Sequence, residues 1–394
     1  MALTFTNFRQ EVRNELLNIL NYWIRYDIDQ ENGGFYGAVN HLNQPNPKAP
    51  KGIVINSRIL WTYAAAQQLF PDPQYPVMAK RAYDYIRKYF VDPLNGGVYW
   101  SVTATGEPLE KKKQIYGHAF AIYGLAEYYK ISKSQEVLDL AKDIFGQVVK
   151  HSFDPVNGGY VEALNNDWSD TDDYILSKGD SRKSMNTHLH LLESFTNLYR
   201  VWKDKSSEFH LKHCLEIMIN RITDPETYRM TLFFTDKWEP RSTIISYGHD
   251  IEASWLIWEA AEVLGNEELI KRCKTIAIEM AKAASDGLAG DGSIYYEYEP
   301  ETKKLHTNKD WWPQAEAMVG FFNAYQLTGK VNFLEKSENT WNWIKKYMID
   351  HENGEWFGTL DAQNVVKSRD KVNFWKCPYH NGRACMEIWH RLEK

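Results

Sequence analysis

The chain has 394 residues and a formal net charge of −6, and its acidic and basic side chains are interspersed. This charge pattern excludes the basic face of a nucleic-acid-binding protein or of a protein held to an anionic membrane. No apolar run reaches the about 18 residues of a membrane span, the N-terminus lacks a secretory pattern, and the four cysteines show no close pairing, so we expect a cytoplasmic protein with reduced thiols.

A short turn phrase recurs along the whole chain. It reads DQENGGFY from Asp29, DPLNGGVY from Asp92 and DPVNGGY from Asp154, with looser copies DGLAGDGSIY from Asp286 and DHENGEWF from Asp350. The starts lie 63, 62, 132 and 64 residues apart, so a degraded copy is expected in the long gap, near residues 229–237. Self-similarity at one period indicates a single supersecondary unit repeated six times.

Apolar residues at helical spacing predict two helices in each unit, twelve in all. The predicted helices span 8–26, 53–70, 75–90, 114–130, 136–151, 184–203, 207–222, 247–264, 267–284, 312–327, 332–349 and 380–392. The Asn-Gly and Gly-Gly pairs predict short β-hairpins in the connections. A period of about 60 residues exceeds the about 34–47 of open helical solenoids. We therefore predict an all-α fold, a closed (α/α)6 barrel, with residues 1–394 as one catalytic domain.

The second helix of each pair carries polar and aromatic side chains near its N-terminal end, inside an otherwise apolar pattern. These residues are Arg58, Tyr116, His118, Asn186, His190, His249, Glu252, Trp312, Glu316 and His380. Six helix starts that each contribute such groups predict an inner ring whose N-terminal ends open on one mouth. The chain also holds 15 Trp, and indole rings beside carboxylates and amides are typical of a carbohydrate site.

The segment 247–255 is the richest in chemistry. His249 and Glu252 are i,i+3, and Trp255 follows one turn later, so a proton carrier, an acceptor and a stacking platform share one helical face. The alternative is a capped helix start with a buried structural histidine. Trp312 and Glu316 likewise share a face at i,i+4, where the alternative is a core indole and a solvated carboxylate.

The stretch MNTHLH at residues 185–190 raises a metal hypothesis. Helical residues i and i+2 point about 200° apart, so His188 and His190 cannot both face one pocket. Asn186 and His190 do share a face, which leaves His188 as a structural hydrogen-bonding residue.

Two metal sites were conceivable, and neither is favoured. One would need His190, His249, Glu252 and His380 to converge on an ion, and a zinc site of Cys377, His380 and Cys385 lacks a CxxC pair. No nucleotide-binding motif occurs either, so we predict neither a metal nor a cofactor.

Four long stretches, GHDIEASWL, MNTHLHLLE, WWPQAEAM and NFWKCPYHNGRACMEIW, resemble the cellobiose 2-epimerases of the wider N-acylglucosamine 2-epimerase superfamily. The resemblance runs from Asn56 to the last helix. It implies an (α/α)6 barrel and a cofactor-free conversion of the reducing-end glucose of cellobiose or lactose to mannose. The residues that match the family's pocket are Arg58, Asn186, His190, His249, Glu252, Trp255, Trp312, Glu316, Trp375 and His380.

Epimerisation at C2 needs a proton removed next to a carbonyl and returned on the other face. We expect His249 and His380 to be the two bases, and His380 or His190 to assist ring opening. Arg58 is expected to stabilise the enediolate, and Glu252 to orient His249 or bind a hydroxyl. We assign substrate binding to Asn186, Tyr116, Trp255, Trp312, Glu316 and Trp375, with Glu316 and Trp375 nearer the non-reducing unit.

Three alternatives remain open. The first is an N-acylglucosamine 2-epimerase or a mannose isomerase acting on monosaccharides. The second is an inverting glycosidase with Glu252 and Glu316 about 6.5–9.5 Å apart. The third is a catalytically silent carbohydrate-binding protein. A disaccharide is the expected partner, and the protein is expected to be a monomer or a weak homodimer.

Overall fold

The computed structural model describes residues 2–177, 179–368 and 370–393, and these contain twelve α-helices, as predicted. They are α1 (Ala2–Tyr26), α2 (Ile53–Leu69), α3 (Gln74–Tyr85), α4 (Ile115–Ser132), α5 (Gln135–His151), α6 (Met185–Val201), α7 (Lys205–Ile217), α8 (Tyr247–Leu264), α9 (Glu267–Ala284), α10 (Trp311–Thr328), α11 (Val331–Trp343) and α12 (Tyr379–Arg391). Three of the odd-numbered helices, α3, α7 and α11, continue as π-helical turns: Ile86–Phe90, Met218–Ile222 and Ile344–Met348.

The even-numbered helices form a closed inner ring. Each packs against the next, and α12 packs against both α10 and α2, which closes the circle. The odd-numbered helices form the outer ring, each packed against an inner helix. The prediction of a closed (α/α)6 barrel is therefore confirmed. An open solenoid is excluded, because its first and last repeats would not touch.

Burial explains which helices are inside. In α2, every residue from Ile53 to Ala66 is buried, so the helix is enclosed on all sides. In α5, the buried residues recur at helical spacing along one face, from Val137 through Ala141 to Val148. An amphipathic helix of this kind has one face for the core and one for water, which fits it to the outer ring. No helix in the described part of the chain is long and apolar enough to cross a membrane.

Each of the six units closes its turn phrase with an isolated antiparallel bridge. The bridges join Ile28 to Phe35, Val91 to Val98, Phe153 to Tyr160, Thr223 to Met230, Leu288 to Ile294 and Ile349 to Trp356. The degraded copy therefore begins at Asp224, and the prediction of residues 229–237 was placed too late. It was hard to find because the Gly-Gly pair is absent, and Tyr228 takes the left-handed conformation instead, with φ of 56°.

An ion pair with a buried lysine stabilises five of these turns. Lysine Nζ lies 2.7–2.8 Å from an aspartate oxygen in the pairs Lys51–Asp29, Lys113–Asp92, Lys183–Asp154, Lys309–Asp291 and Lys371–Asp350. In four units the lysine also donates to a turn carbonyl, as Lys113 does to Gly96 at 2.8 Å. In the fourth unit Ile245 stands at the start of the strand where other units place lysine. The charge pattern of the repeat was thus present in the sequence and was overlooked.

The fourth residue of an inner helix holds the turn phrase in place in four units. A backbone N–H in each turn donates to this side chain: Val98 to His118, Tyr160 to His188, Met230 to Asp250 and Ile294 to Gln314, at 2.9–3.1 Å. His188 is therefore a structural hydrogen-bonding residue, as predicted. His118, which the pattern placed among the mouth residues, has the same structural role.

Thirteen short strands in the described residues link the units around one rim. They are β1 (Lys51–Gly52), β2 (Ser101–Val102), β3 (Pro108–Glu110), β4 (Lys113–Gln114), β5 (Ala163–Leu164), β6 (Lys183–Ser184), β7 (Phe233–Phe234), β8 (Ile245–Ser246), β9 (Glu297–Glu299), β10 (Lys304–His306), β11 (Lys309–Asp310), β12 (Thr359–Leu360) and β13 (Val366–Ser368). Hairpins form at β2–β3, β9–β10 and β12–β13. The strand before an inner helix pairs instead with the next unit, as β1 does with β2.

Candidate active site

The N-terminal ends of the inner helices surround a cavity of about 290 Å³. Nine of the eleven side chains predicted for the site line it: Arg58, Tyr116, Asn186, His190, His249, Glu252, Trp312, Trp375 and His380. They come from inner helices and from the segment that precedes α12, because each inner helix directs its first turns to the same mouth. The cavity is at the lower end of the about 300–1,000 Å³ typical of small-molecule sites.

The three histidines of the cavity are each held at Nδ1. His380 Nδ1 lies 2.7 Å from Glu316 Oε1, His190 Nδ1 lies 3.0 Å from Glu193 Oε2, and His249 Nδ1 lies 2.7 Å from Ser246 Oγ. An ionised carboxylate only accepts hydrogen bonds, so Nδ1 of His190 and of His380 carries the proton. In both rings the Nε2 lone pair is left available as a base.

Burial keeps these imidazoles neutral. It lowers the pKa of His380 to about 3, although the hydrogen bond that His380 donates to Glu316 opposes the shift. Burial and the neighbouring His190 and His380 lower the pKa of His249 to about 3. Burial also lowers the pKa of His190, against the effect of Glu193. All three rings are therefore neutral near pH 7, which is the state a general base needs.

Beneath the histidines, one guanidinium joins three carboxylates. Arg383 Nη2 lies 2.8 Å from Glu252 Oε1 and 2.7 Å from Glu316 Oε1, and its Nη1 contacts Glu193 and the hydroxyl of Tyr379. Arg383 is buried and carries the single positive charge at the centre of this network. Sequence reasoning missed both Arg383 and Glu193, although Glu193 lies at i+3 from His190 and Arg383 follows His380 in the same quoted stretch.

The carboxyl groups of Glu252 and Glu316 lie close together, and their pKa values are shifted in opposite directions. Burial would raise the pKa of Glu316, but Arg383 and His380 outweigh it and lower that pKa to about 2. Burial and the charge of Glu316 raise the pKa of Glu252 well above its usual range. Glu316 therefore carries the negative charge of the pair, and burial favours the neutral form of Glu252, whose carboxyl group lines the cavity.

The buried carboxylates and His380 also bear on the two metal hypotheses. In the described part of the chain, one set of side chains could converge on an ion: Glu252, Glu316 and His380, with ligand atoms within 4.8 Å of one another. Arg383 already lies within hydrogen-bond distance of both carboxylates, and its positive charge repels a cation. The set contains neither Cys377 nor Cys385, both of which are buried free thiols. The donor set therefore does not fit a metal ion.

Arg58 is held rigidly on the cavity wall. Its Nη2 donates to Tyr116 Oη at 2.9 Å and its Nη1 to the Trp375 carbonyl at 3.2 Å. The guanidinium also stacks 4.1 Å from the ring centroid of Phe120. These contacts preorganise a delocalised cation, which then needs no rearrangement to meet a developing negative charge.

Two indoles provide flat surfaces. The ring centroid of Trp312 lies 4.6 Å from that of His249 and 5.9 Å from that of His380, so the indole contacts both histidines. Trp375 is 36% exposed and lies near Trp100 and Tyr116, with centroids 5.8 Å apart in each case. Trp312 is thus part of the inner cavity, and Trp375 belongs to its rim.

The remaining two predicted residues lie behind the cavity. Trp255 is 1% exposed, does not line the cavity, and donates from Nε1 to Glu316 Oε2 at 3.0 Å. Glu316 lies beneath the lining as well, bound to His380 and Arg383. The positions of these two side chains therefore contradict the prediction that they bind the substrate directly. Helical spacing identified the correct face, but three residues along α8 carry Trp255 about 4.5 Å deeper along the axis.

The cavity has further walls that the sequence pattern did not reveal. They are Leu176, Tyr296, Asp310 and Trp311. Leu176 lies in the long connection between β5 and β6, and Tyr296 immediately precedes β9; neither stands on a periodic helical face. Trp311 Nε1 and Asn186 Oδ1 are buried without a hydrogen-bond partner among the described residues. Such atoms are costly to bury unless a ligand satisfies them.

The geometry also bears on the glycosidase alternative. The nearest ligand oxygens of Glu252 and Glu316 lie within 4.8 Å, and Arg383 Nη2 contacts both carboxylates. An inverting pair needs about 6.5–9.5 Å, with a water and the glycosidic bond between the two groups. Glu316 does not reach the cavity. The two carboxylates therefore do not form an inverting catalytic pair.

Comparison with known proteins identifies relatives over nearly the full length. The family described as N-acylglucosamine 2-epimerase (GlcNAc 2-epimerase) matches residues 33–384. A cellobiose 2-epimerase of Bacteroides fragilis is 45% identical over 384 residues, covering 96% of this chain and 98% of that protein. The solved structure of cellobiose 2-epimerase from Bacillus thermoamylovorans B4167 superposes with a TM-score of 0.94 at 37% identity, covering 98% of this chain and 100% of the other. A D-mannose isomerase of Marinomonas mediterranea is 21% identical, covering 93% of each chain.

Proposed function

The chain belongs to the N-acylglucosamine 2-epimerase family and is a carbohydrate epimerase, and we propose that it inverts C2 of the reducing-end glucose of β-1,4-linked disaccharides. Cellobiose would give glucosyl-mannose, and lactose would give epilactose. The proposal is supported by the 45% identity to a cellobiose 2-epimerase, against 21% to a D-mannose isomerase. We also propose that residues 1–394 act as one catalytic domain, as a monomer or weak homodimer.

One observation carries the proposed chemistry. His249 and His380 both line the cavity, both are neutral because burial lowers the pKa of each to about 3, and both contact the indole of Trp312. Two neutral bases on one bound sugar can remove the C2 proton from one face and return a proton to the other. A single base would require the intermediate to turn over inside the cavity.

The steps follow from ordinary carbonyl chemistry. The sugar ring opens to its aldehyde, with His190 or His380 moving the proton between the ring oxygen and the anomeric hydroxyl. One of the two bases then takes the C2 proton, and the electron pair moves through C1 to the carbonyl oxygen, giving an enediolate. Arg58 stabilises that charge. The opposite histidine takes up a proton from solvent and delivers it to C2, and the first base releases the proton it removed to solvent. The sequence is redox-neutral and requires no electron carrier.

The ion pair of Glu316 with Arg383 supports this cycle. When His380 accepts a proton, the ionised Glu316 at 2.7 Å from Nδ1 stabilises the imidazolium. In its neutral form, which burial favours, Glu252 can donate a hydrogen bond to a sugar hydroxyl or to the enediolate oxygen. The unpartnered Asn186 Oδ1 and Trp311 Nε1 offer further hydrogen bonds to hydroxyls. Trp375 and Asp310 near the mouth are proposed to contact the second sugar.

The alternative of a monosaccharide epimerase or isomerase is decided by substrate. Purified, chelator-treated protein is incubated with cellobiose in deuterated water and followed by proton NMR. Glucosyl-mannose carrying deuterium at C2 is the expected product. Free glucose would support a glycosidase, and no change with cellobiose but turnover of N-acetylglucosamine or mannose would contradict the disaccharide assignment.

A further inference from the structure

A second cavity of about 170 Å³ lies at the other end of the inner ring. We call it the rear cavity. Six of the residues that line it are Trp61, Gln68, Tyr123, Glu127, Trp255 and Glu259. All come from later turns of inner helices whose first turns line the active-site cavity. The two cavities share no lining residue. Tyr379 separates them, with its ring 5.4 Å from Trp61 on one side and 4.8 Å from His380 on the other.

The wall of the rear cavity is aromatic. Trp61 and Tyr123 stack with ring centroids 5.2 Å apart and an angle of 10° between their planes. Trp255 adds a third ring, and it is fixed through Nε1 to Glu316. Trp61 is 7% exposed, and its Nε1 has no hydrogen-bond partner among the described residues. Flat rings beside an unsatisfied donor suit a ligand with an apolar face and hydroxyl groups at its edge.

The charged groups around the rear cavity are already paired. Lys130 Nζ lies 2.6 Å from Glu127 Oε2, and Arg200 Nη2 lies 2.9 Å from Glu259 Oε1. A site with balanced charge has little attraction for an ion. The C-terminal ends of the inner helices add partial negative charge, which disfavours phosphate or carboxylate ligands and favours hydroxyl donors.

We propose that the rear cavity binds a neutral monosaccharide, one pyranose ring whose apolar face lies on the aromatic wall. Gln68 and Asn197 both donate to Glu127, at 2.6 and 2.9 Å, and the remaining oxygen lone pairs of this group can accept from sugar hydroxyls. Its volume of 170 Å³, against 290 Å³ for the active-site cavity, suits one ring rather than two. The inference rests on the residues of this cavity and does not depend on the proposed reaction.

Binding is tested with the full-length protein labelled with 5-fluorotryptophan and observed by ¹⁹F NMR. The probe is methyl β-D-glucopyranoside, a glycoside that cannot open its ring and so cannot be epimerised. The Trp61 and Trp312 resonances are assigned with Trp61→Phe and Trp312→Phe. We expect a saturable shift of the Trp61 resonance with a Kd of about 10 mM or lower. Absence of that shift overturns the proposal.

Two variants separate the rear cavity from the active site. In Trp312→Ala, which damages the active-site cavity, the Trp61 shift is expected to persist; its loss would mean that the signal comes from the active site. Gln68→Leu is expected to weaken the Trp61 response about tenfold, because one set of hydrogen bonds is lost. Gln67→Leu, a neighbour outside the cavity, is the matched control and is expected to bind as the native protein does.

Charged probes test the class of ligand. Tetramethylammonium and inorganic phosphate are expected to leave the Trp61 resonance unchanged at the same concentration. A saturable shift with either ion, and none with the glucoside, would overturn the assignment of a neutral sugar. Because these readouts are binding and not turnover, they stand or fall independently of epimerase activity.

Discussion

His380 and Glu316 form a buried pair in which the imidazole Nδ1 lies 2.7 Å from the carboxylate oxygen, with side-chain exposures of 6% and 1%. They are 64 residues apart in the chain and belong to neighbouring inner helices. The carboxylate sets the tautomer of the ring and can stabilise its protonated form. This arrangement links the buried charge network to a histidine that lines the cavity.

The Glu316→Gln variant tests this link. The amide keeps the shape of the side chain but removes the negative charge that stabilises the imidazolium of His380. We expect kcat for epimerisation to fall by about 10²–10⁴-fold with a small change in KM. Glu335→Gln, an exposed position, is the control. A raised KM at an unchanged kcat would show that Glu316 contributes to substrate binding alone.

Removal of either proposed base is expected to stop inversion at C2. His249→Ala and His380→Ala should each abolish conversion of cellobiose to glucosyl-mannose, because one face of C2 loses its proton carrier. The measurement is proton NMR of cellobiose in deuterated water, with circular dichroism to show that each variant folds. His351→Ala, on the surface, should behave as the native protein does. Unchanged epimerisation in either site variant would contradict the two-base scheme.

The lowered pKa of His249 has a consequence for stability. Burial lowers the pKa to about 3 in the folded state, whereas the unfolded chain has a pKa of about 6.5. Between pH 8 and pH 5 the unfolded state therefore takes up a proton that the folded state does not, and stability falls as the pH falls.

His249→Asn removes this proton uptake. When the pH falls from 8 to 5, the free energy of unfolding should fall by about 1–2 kcal/mol less in the variant than in the native protein. This range allows for the partial exposure of the ring. Urea unfolding of both proteins at the two pH values gives the difference, in which other titrating groups cancel. An equal loss of stability in both proteins would mean that His249 titrates normally in the folded state.

The Arg58→Lys variant keeps the positive charge but loses the planar guanidinium group. Lysine cannot contact Tyr116 Oη and the Trp375 carbonyl together while stacking on Phe120. We expect kcat/KM to fall about 100-fold, in line with the loss of one preorganised donor to an oxyanion. Arg87→Lys on the surface is the control. A raised KM at unchanged kcat would instead assign Arg58 to ground-state binding.

The repeated ion pair gives a prediction for folding. Lys113 and Asp92 are both fully buried, so Lys113→Met leaves an unpaired carboxylate and should cost about 3–5 kcal/mol. The double variant with Asp92→Asn should recover much of that loss, because the amide oxygen can still accept from the backbone N–H groups of Leu94 and Asn95. Thermal unfolding compares the two. If the single and the double variant are destabilised equally, the loss in Lys113→Met does not come from the unpaired carboxylate of Asp92.

The sequence by itself determined the architecture. The period of the turn phrase and the apolar spacing of the helices are local properties, and they predicted twelve helices with bounds close to those observed. They also placed eight of the nine cavity residues, because the first two turns of each inner helix lie at the mouth. The ninth, Trp375, was assigned from the family resemblance. The repeated lysine and aspartate positions of the turns were also visible in the sequence, but they were not used to predict the ion pairs.

The tertiary structure alone decided which groups act together. Arg383 meets Glu193, Glu252 and Glu316 across distances of 190, 131 and 67 residues, and no local pattern encodes such a meeting. Periodicity reports the face of a helix and not the depth at which a side chain lies, so Trp255 and Glu316 were assigned to the substrate although they support the wall behind it. The protonation of the site depends in turn on burial and on charges brought together by ring closure.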